Sequence, residues 1–300
     1  MEHEFLLDFI RKNNSPALQL GKYSLVGFES NTEGVALDEN HFIRKVSDEE
    51  LHEFYHRTSW KNSPEWYLKN KYMFFCFFEA GKYDVFAFQN HQKRILNFLR
   101  IYNDSDVWMP WCNSYIEAQN KGEYQSTGFN TFPNEKKSSS HSPMYLQDFE
   151  VHTMKNLWKR YSTIDFQKNQ FLKVVLNRFN DSLYRIDSSD KLIDLVISFE
   201  ALLLENESNK TSKLSNRVAL LLKEQKDKSS TIRFMRQVYD FRSRIVHGDL
   251  ETDYSYEPFS NFKIIESYCN TLTSILRLCI LEYLNKYHNF SKGEFIRNIR

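Results

Sequence analysis

From Leu146 onward, the chain keeps one hydrophobic pattern almost to its last residue. Apolar side chains recur three and four positions apart, which is the spacing that lines one face of an α-helix. Only short links interrupt the pattern, and short links favour antiparallel packing of neighbouring helices. We therefore predict an all-α bundle over residues 146–300, with helices near 147–161, 166–183, 190–205, 212–225, 230–247, 258–287 and 291–298.

The first 145 residues show a different pattern, in which short apolar runs are separated by turn residues. Ser47 and Glu50 have the spacing of a capping box, which indicates a helix that continues to about Arg57. Two apolar runs on either side of Gly81 and Lys82 predict a β-hairpin. We predict an α+β domain over residues 1–145, with strands near 23–28, 35–37, 71–80, 83–89 and 107–116, helices near 4–12, 48–57 and 91–102, and a loop over 119–145.

The charge of the chain limits the classes of partner that it can bind. The formal net charge is only +1, which argues against a general polyanion binder. The charge is unevenly divided, because residues 160–300 contain 22 Lys and Arg against 18 Asp and Glu, a net charge of +4. The first 159 residues contain 18 against 21, a net charge of −3. A local basic cleft in the C-terminal half is therefore compatible with the composition.

The remaining composition predicts a soluble protein of the cytoplasm. The four cysteines, Cys76, Cys112, Cys269 and Cys279, are widely separated and form no CxxC pair, so we interpret them as reduced core thiols. The N-terminus begins with acidic residues and lacks the long apolar segment of a signal peptide. No apolar run approaches 18 residues, which argues against a membrane span.

The helix predicted near 230–247 has an unusual combination of residues. Phe234, Val238, Phe241 and Ile245 form its apolar stripe, and Gly248 follows as a typical helix C-cap residue. Four arginines in this stretch face a single acid, Asp240; they are Arg233, Arg236, Arg242 and Arg244. The sequence therefore predicts a basic helix with His247 at its C-terminal end, where the helix dipole favours a protonated imidazole.

Arg242 and His247 have the side-chain chemistry of phosphodiester cleavage. A histidine transfers protons, and an arginine neutralises the charge that develops on a phosphate. The two residues are five positions apart, so they lie about 140° apart around the helix and about 7.5 Å apart along it. One helix does not easily direct both groups at the same atom. A cleft between two copies of this helix would supply both.

The run Tyr239-Asp-Phe-Arg242-Ser-Arg-Ile-Val-His247-Gly248 resembles the Arg-x4-6-His signature of the HEPN superfamily, and most closely its Apea-like branch. Ser198-Phe-Glu200 resembles the upstream helix of that branch, and the resemblance covers roughly residues 165–287. It implies a helical bundle, a homodimer and a metal-independent RNA endonuclease without a cofactor, serving as a toxin or antiphage effector. Many active members have Asn, Asp or His after the arginine, where this chain has Ser243.

Several neighbouring residues are candidates for supporting roles. Glu200 lies on an apolar helix face, where a carboxylate needs a cation or a donor, and we predict Arg242 or Arg217 as its partner. Tyr239 is a core tyrosine or a platform for stacking a base. Asp194 and Ser198 form a second polar strip that we expect to face solvent or an interface. Residues expected to surround the site and to bind RNA phosphates or orient the imidazole are Ser243, Arg244, Arg236 and Asp249.

Two other functions are compatible with the sequence. In the first alternative, the bundle is a non-catalytic module for dimerisation that holds RNA or a protein partner on its basic helix. In the second, His52-Glu53-Phe-Tyr-His56 is a zinc-binding HExxH helix. We disfavour the zinc site because acidic residues precede it and because Leu51, Phe54 and Tyr55 would form the core face, which leaves both histidines at the rim.

The preferred hypothesis is a HEPN-type ribonuclease that cleaves tRNA or another structured RNA. A regulatory partner or trigger would act on the N-terminal domain.

Overall fold

A computed structural model describes residues 17–57, 71–79, 85–105, 107–109, 111–118, 129–130, 143–248 and 258–299. The chain divides into two units, Met1–Lys159 and Arg160–Arg300. This division falls later than residue 145, which the sequence suggested. The reason is that Trp158 packs with the aromatic side chains of the first unit, at 6.2 Å from Phe74 and 4.9 Å from Phe98 between ring centroids.

The first unit is an α+β structure built on a six-stranded antiparallel sheet. The strands lie in the order β3-β4-β5-β1-β6-β7, and two short strands, β2 and β8, pair separately in parallel. The strands are β1 (Ala17–Leu25), β2 (Phe28–Ser30), β3 (Gly34–Ala36), β4 (His41–Lys45), β5 (Tyr72–Glu79), β6 (Trp111–Ala118), β7 (Phe129–Asn130) and β8 (Met144–Leu146). The helices of this part are α1 (Asp48–Arg57), α2 (Val85–Tyr102) and α3 (Val151–Ser162), which continues into the second unit.

Two hydrophobic layers cover the sheet. On one face, Leu51 and Phe54 of α1 pack in a cluster with Phe75 and Phe77 of β5. Residues of β5 alternate between the faces, and Phe74 belongs to the opposite layer with α2 and α3. The predicted capping box of α1 is confirmed, since the Ser47 amide donates to the Glu50 carboxylate at 2.9 Å and the Glu50 amide donates to the Ser47 hydroxyl at 3.2 Å.

The predicted hairpin after β5 is wrong. Residues from Val85 onward belong to the 18-residue helix α2, and β5 pairs instead with β1 and β4. The aromatic residues at 86 and 88 favour a strand, but no Gly or Pro separates them from the helical pattern of 91–102. A helix propagates at little cost once it is nucleated, so the whole segment is helical. The predicted helix near 4–12 lies outside the described residues.

The second unit is a helical bundle, as predicted. Its helices are α4 (Gln170–Ser182), α5 (Ser188–Leu203), α6 (Lys210–Leu221), α7 (Lys228–His247), α8 (Pro258–Lys286) and α9 (Lys292–Asn298). Including α3, every predicted helix of residues 146–300 is confirmed, with ends that differ by no more than four residues. Helix α5 is central, because it contacts α4, α6, α7 and α8.

The apolar character of α8 serves this packing. Within the described residues, the segment Ile264–Lys286 is the one helix long and apolar enough to cross a membrane by composition. Its buried side chains include Cys269, Leu272, Leu276 and Ile280. A core helix of a bundle has the same composition, so this segment carries no argument for a membrane span.

Candidate functional site at the C-terminal end of helix α7

Helix α7 is capped at both ends by its own sequence. The Asp227 carboxylate accepts a hydrogen bond from the Ser230 amide at 2.7 Å and so satisfies one free donor of the first turn. At the other end, Gly248 has φ 75° and ψ 13°, and its amide donates to the carbonyl oxygens of Arg244 and Ile245. Glycine adopts this left-handed conformation without steric cost. The predicted end of the helix at His247 is confirmed.

Only the N-terminal part of α7 is buried in the core. Val238 is buried together with Thr231 and Met235, and no residue of α7 after Val238 is buried. Of the predicted stripe, Phe234 and Phe241 are half-buried and pack on the ring of Tyr268 in α8, with ring centroids at 5.4 Å and 5.1 Å. The C-terminal turns, which contain Arg242 and His247, therefore lie at the surface of the unit.

Tyr239 connects Glu200 of α5 to Arg242. The Tyr239 hydroxyl donates to the Glu200 carboxylate at 2.8 Å, and the Arg242 guanidinium carbon lies 6.0 Å from the centre of the Tyr239 ring. Burial, followed by the bond to Glu200, raises the pKa of Tyr239 to about 12, although the charge of Arg242 opposes the shift. The phenol therefore remains protonated and acts as a donor near neutral pH.

The predicted partner of Glu200 is corrected by this geometry. Arg217 forms an ion pair with Glu207 and donates to the Leu203 carbonyl at 2.8 Å, so it is engaged at the end of α5. The ion pairs of the described residues do not include one between Glu200 and Arg242. Tyr239 supplies the donor that the half-buried carboxylate needs, and it links Glu200 to Arg242 indirectly.

Arg242 differs from its neighbours by an unsatisfied donor. Its Nε is buried and has no hydrogen-bond partner among the described residues. A buried donor without an acceptor costs about 1–3 kcal/mol. The guanidinium is thus held beside Tyr239 with its buried Nε unsatisfied.

Of the other predicted site residues, Ser243, Arg244 and His247 lie in the last turns of α7, and Arg236 lies about three turns before its end. His247, Arg244 and Arg236 are exposed, and Ser243 is half-buried. The Arg244 guanidinium lies 5.9 Å from the centre of the Phe241 ring. Val246 is 50% exposed. It precedes His247 in the sequence and lies on a different side of the helix from Arg244. Asp249 lies outside the described residues.

The structure does not bring Arg242 and His247 together within one helix. Arg242 lies with Tyr239 on the side that faces Glu200, whereas His247 lies about 140° around the helix axis from it. The separation that the sequence predicted therefore remains in the folded chain. One copy of α7 presents the two groups in different directions.

Asp194 and Ser198 have structural roles instead of facing solvent. The Asp194 carboxylate is buried and accepts hydrogen bonds from Arg178 and Arg185, each at 2.7 Å. The Ser198 hydroxyl donates to the Val175 carbonyl at 2.8 Å. These bonds attach α5 to α4 and to the link between them, so the expectation of a solvent or interface strip was wrong.

The HExxH segment packs on the sheet through apolar residues in and beside it. Leu51 and Phe54 are buried in the sheet cluster, and His52 is exposed. The side chains of Glu53, Tyr55 and His56 lie outside the described part of the structure. In the part that is described, no three His, Cys, Asp or Glu side chains are grouped so that they could hold a metal ion.

One cluster of side chains had no signal in the sequence. Asp38, His41, His91 and Trp158 meet in the first unit, although they come from three separate segments. His41 and Asp38 are three residues apart, which is a common spacing, and the other two are distant along the chain. Only the fold brings them into contact.

Comparison with known proteins adds no family assignment. No protein-family model, curated protein or solved structure matches this chain.

Proposed function

We propose that the C-terminal unit is a HEPN-type, metal-independent RNA endonuclease that works as a homodimer. The observation that carries the proposal is the buried, unsatisfied Nε of Arg242, five residues before an exposed histidine at the capped end of the same helix. The guanidinium of an arginine binds phosphate oxygens, and a histidine is the side chain best suited to move protons near neutral pH.

The proposed reaction uses no metal ion, and water makes the proton transfer that His247 does not make. The ribose 2′-oxygen attacks the adjacent phosphorus while its proton passes to a base, and the bond from phosphorus to the 5′-oxygen breaks as that oxygen takes up a proton. His247 serves as the base or as the acid, and Arg242 stabilises the negative charge of the pentavalent intermediate. The products are a 2′,3′-cyclic phosphate, or the 3′-phosphate that follows from its hydrolysis, and a 5′-hydroxyl.

In a homodimer, Arg242 of one copy and His247 of the other can face the same phosphate. Because Arg242 and His247 point about 140° apart on one helix, we propose that each active site combines groups from two copies of α7. The exposed Val246 supplies apolar surface for such contact, and Arg236 and Arg244 supply cations for neighbouring RNA phosphates. Ser243 and Asp249 complete the proposed surroundings.

Glu200 and Tyr239 are proposed to position Arg242. The carboxylate fixes the phenol through a 2.8 Å hydrogen bond, and the phenol ring lies next to the guanidinium. Neither residue needs to touch the RNA for this role. The wider biology, a cytoplasmic toxin or antiphage effector whose N-terminal unit responds to a trigger, is a proposal that follows from the family resemblance alone.

The proposal is tested by incubating a mixed pool of tRNA and structured RNA with the purified chain in EDTA. We expect cleavage by the wild-type protein and a loss of at least about 100-fold in Arg242→Ala and His247→Ala. Arg233→Ala is the matched control, because Arg233 is exposed on the same helix about two and a half turns before Arg242 and should keep full activity.

If the purified protein cleaves no RNA, expression in cells distinguishes a restrained enzyme from an inactive one. Growth arrest by the wild type but not by His247→Ala would support the nuclease. Absence of both RNA cleavage and growth arrest would contradict it.

The second candidate is a non-catalytic module for dimerisation and for binding RNA or protein. Ser243 favours it, because many active members of the superfamily carry Asn, Asp or His after the arginine. In that case His247→Ala would leave assembly and RNA binding unchanged, and the wild-type protein would show no cleavage under any condition.

A further inference from the structure

Two imidazole rings are stacked inside the first unit. The ring of His41 on β4 lies 5.3 Å from the ring of His91 on α2, with 29° between their planes. His41 also lies 5.0 Å from the Trp158 ring of α3, and His91 lies 4.9 Å from the Phe78 ring of β5. The pair thus joins the sheet to both helices that cover this face.

Asp38 fixes one side of the pair. Its carboxylate accepts from His41 Nδ1 at 2.8 Å, from the Trp158 indole at 2.5 Å and from the Asn40 amide at 2.8 Å. These donors hold the pKa of Asp38 low, at about 2, against the opposing effect of burial. Because an ionised carboxylate only accepts hydrogen bonds, Nδ1 of His41 carries a proton.

The outer nitrogen of each ring lacks a hydrogen-bond partner in the described part of the chain. Nε2 of His41 and Nε2 of His91 are both buried and have no hydrogen-bond partner among the described residues. An imidazole accepts a second proton readily only where both N–H groups find acceptors or water. Protonated His91 would therefore be a buried cation with an unsatisfied donor.

The surroundings of His91 also disfavour its protonated form. Burial is the main cause that lowers the pKa of His91 to about 3; the positive charge of Arg94 acts in the same direction, and Asp38 opposes both. The sheet side adds Tyr23 of β1, whose ring lies 6.2 Å from His91, and Cys76 of β5, which pairs in register with His41.

We propose that the cluster of Asp38, His41, His91 and Trp158 is an acid-sensitive clamp that holds α2 and α3 on the sheet while His91 is neutral and releases them when His91 is protonated. Helix α3 carries the chain from the first unit into the second at Arg160, so release of the clamp acts on the segment that connects the two units. This inference is independent of the proposed nuclease site.

The direction of the effect follows from linkage. A histidine exposed by opening has an ordinary pKa of about 6.5, whereas His91 in the closed clamp has a pKa of about 3. The open form therefore binds more protons between these values, and closure weakens as the pH falls below about 6.5. The equilibrium constant for opening should rise about 30-fold between pH 7.5 and pH 5.0.

Hydrogen–deuterium exchange of the full-length chain tests the clamp. After correction for the intrinsic pH dependence of exchange, peptides from α3 should lose about 30-fold in protection between pH 7.5 and pH 5.0. Peptides from α5, which contains no histidine, serve as the internal reference. In His91→Phe, an aromatic ring that cannot be protonated fills the site, and the pH dependence of α3 should fall below about threefold.

The control variant is His152→Gln, because His152 is exposed on the same helix α3 and should leave the wild-type pH dependence unchanged. Should His91→Phe fail to fold, the imidazole Cε1–H resonance of His91 in the wild-type protein gives the same answer by NMR titration. A His91 that titrates near pH 6.5 while α3 keeps its protection would overturn the proposal. So would wild-type pH dependence in folded His91→Phe.

Discussion

At the scale of single residues, Arg242 is distinguished by its surroundings and not by its charge. Arg236 and Arg244 on the same helix are exposed, whereas Arg242 lies beside Tyr239 with a buried Nε that has no acceptor among the described residues. Exposed arginines adapt to many partners and contribute little until a ligand arrives. A partly buried guanidinium with a fixed neighbour is preorganised, which is what stabilisation of a transition state requires.

Tyr239→Phe tests the positioning of that guanidinium. The substitution removes the hydrogen bond to Glu200 and keeps the ring beside Arg242. We expect a loss of about 1–3 kcal/mol in the free energy of unfolding and a fall in kcat that exceeds any change in KM. Urea unfolding and RNA cleavage kinetics measure the two effects.

Tyr268→Phe is the matched control for this prediction. Its hydroxyl also bonds to α7, at 3.3 Å from the Gln237 side chain, but far from the tip of the helix. It should leave cleavage unchanged. An equal loss of kcat in both variants would mean that Tyr239 acts only through general stability.

At the scale of secondary-structure elements, α7 combines a buried first part with a projecting last part. Its buried side chains end at Val238, so the C-terminal turns depend on their own hydrogen bonds and on the Gly248 cap. The last turn of a helix frays when its cap is lost, and His247 lies in that turn.

Gly248→Ala and Asp227→Ala separate the two ends of this helix. Alanine at Gly248 meets no atom within 4 Å, but it must adopt the positive φ of 75°, which costs about 1–2 kcal/mol. Asp227→Ala removes the N-cap bond to Ser230 and costs about 1 kcal/mol. We expect similar losses in thermal stability, measured by circular dichroism.

The two cap variants should differ in activity. Gly248→Ala should lose most of its RNA cleavage because it disturbs the turn that holds His247, whereas Asp227→Ala should keep it. Equal activity of the two variants would contradict a catalytic role for the last turn.

The sequence was most informative where structure is local. The helices of residues 146–300 and the Ser47 capping box follow from periodicity and from residues three positions apart, and both were predicted. The strand predicted near 83–89 failed because short aromatic runs fit either a strand or a buried helix. The Glu200–Tyr239 bond and the cluster around His41 join distant segments, and no local pattern encodes such contacts.

At the scale of the whole molecule, the proposed function requires a second copy of the chain. A single α7 presents Arg242 and His247 about 140° apart, so in the proposed enzyme the two groups of one active site must come from different protomers. This requirement is specific enough to be tested with variants that are inactive by themselves.

Mixed dimers of Arg242→Ala and His247→Ala provide the test. A heterodimer contains one site with an intact arginine and an intact histidine if each site takes one group from each protomer. We expect the mixture, after exchange of subunits, to regain about a quarter of the wild-type activity per protein, since half the dimers are mixed and each has one complete site. Two separately inactive proteins that stay inactive after verified exchange would mean that both groups act within one protomer.

The chemistry of the RNA ends produced in EDTA tests the central claim most directly. We would cleave a defined structured RNA with the wild-type chain and determine the new ends by mass spectrometry. Attack by the 2′-oxygen predicts 5′-hydroxyl ends opposite 2′,3′-cyclic phosphates or 3′-phosphates, and none of these in His247→Ala. New 3′-hydroxyl and 5′-phosphate ends, or cleavage that survives the loss of His247, would contradict the account.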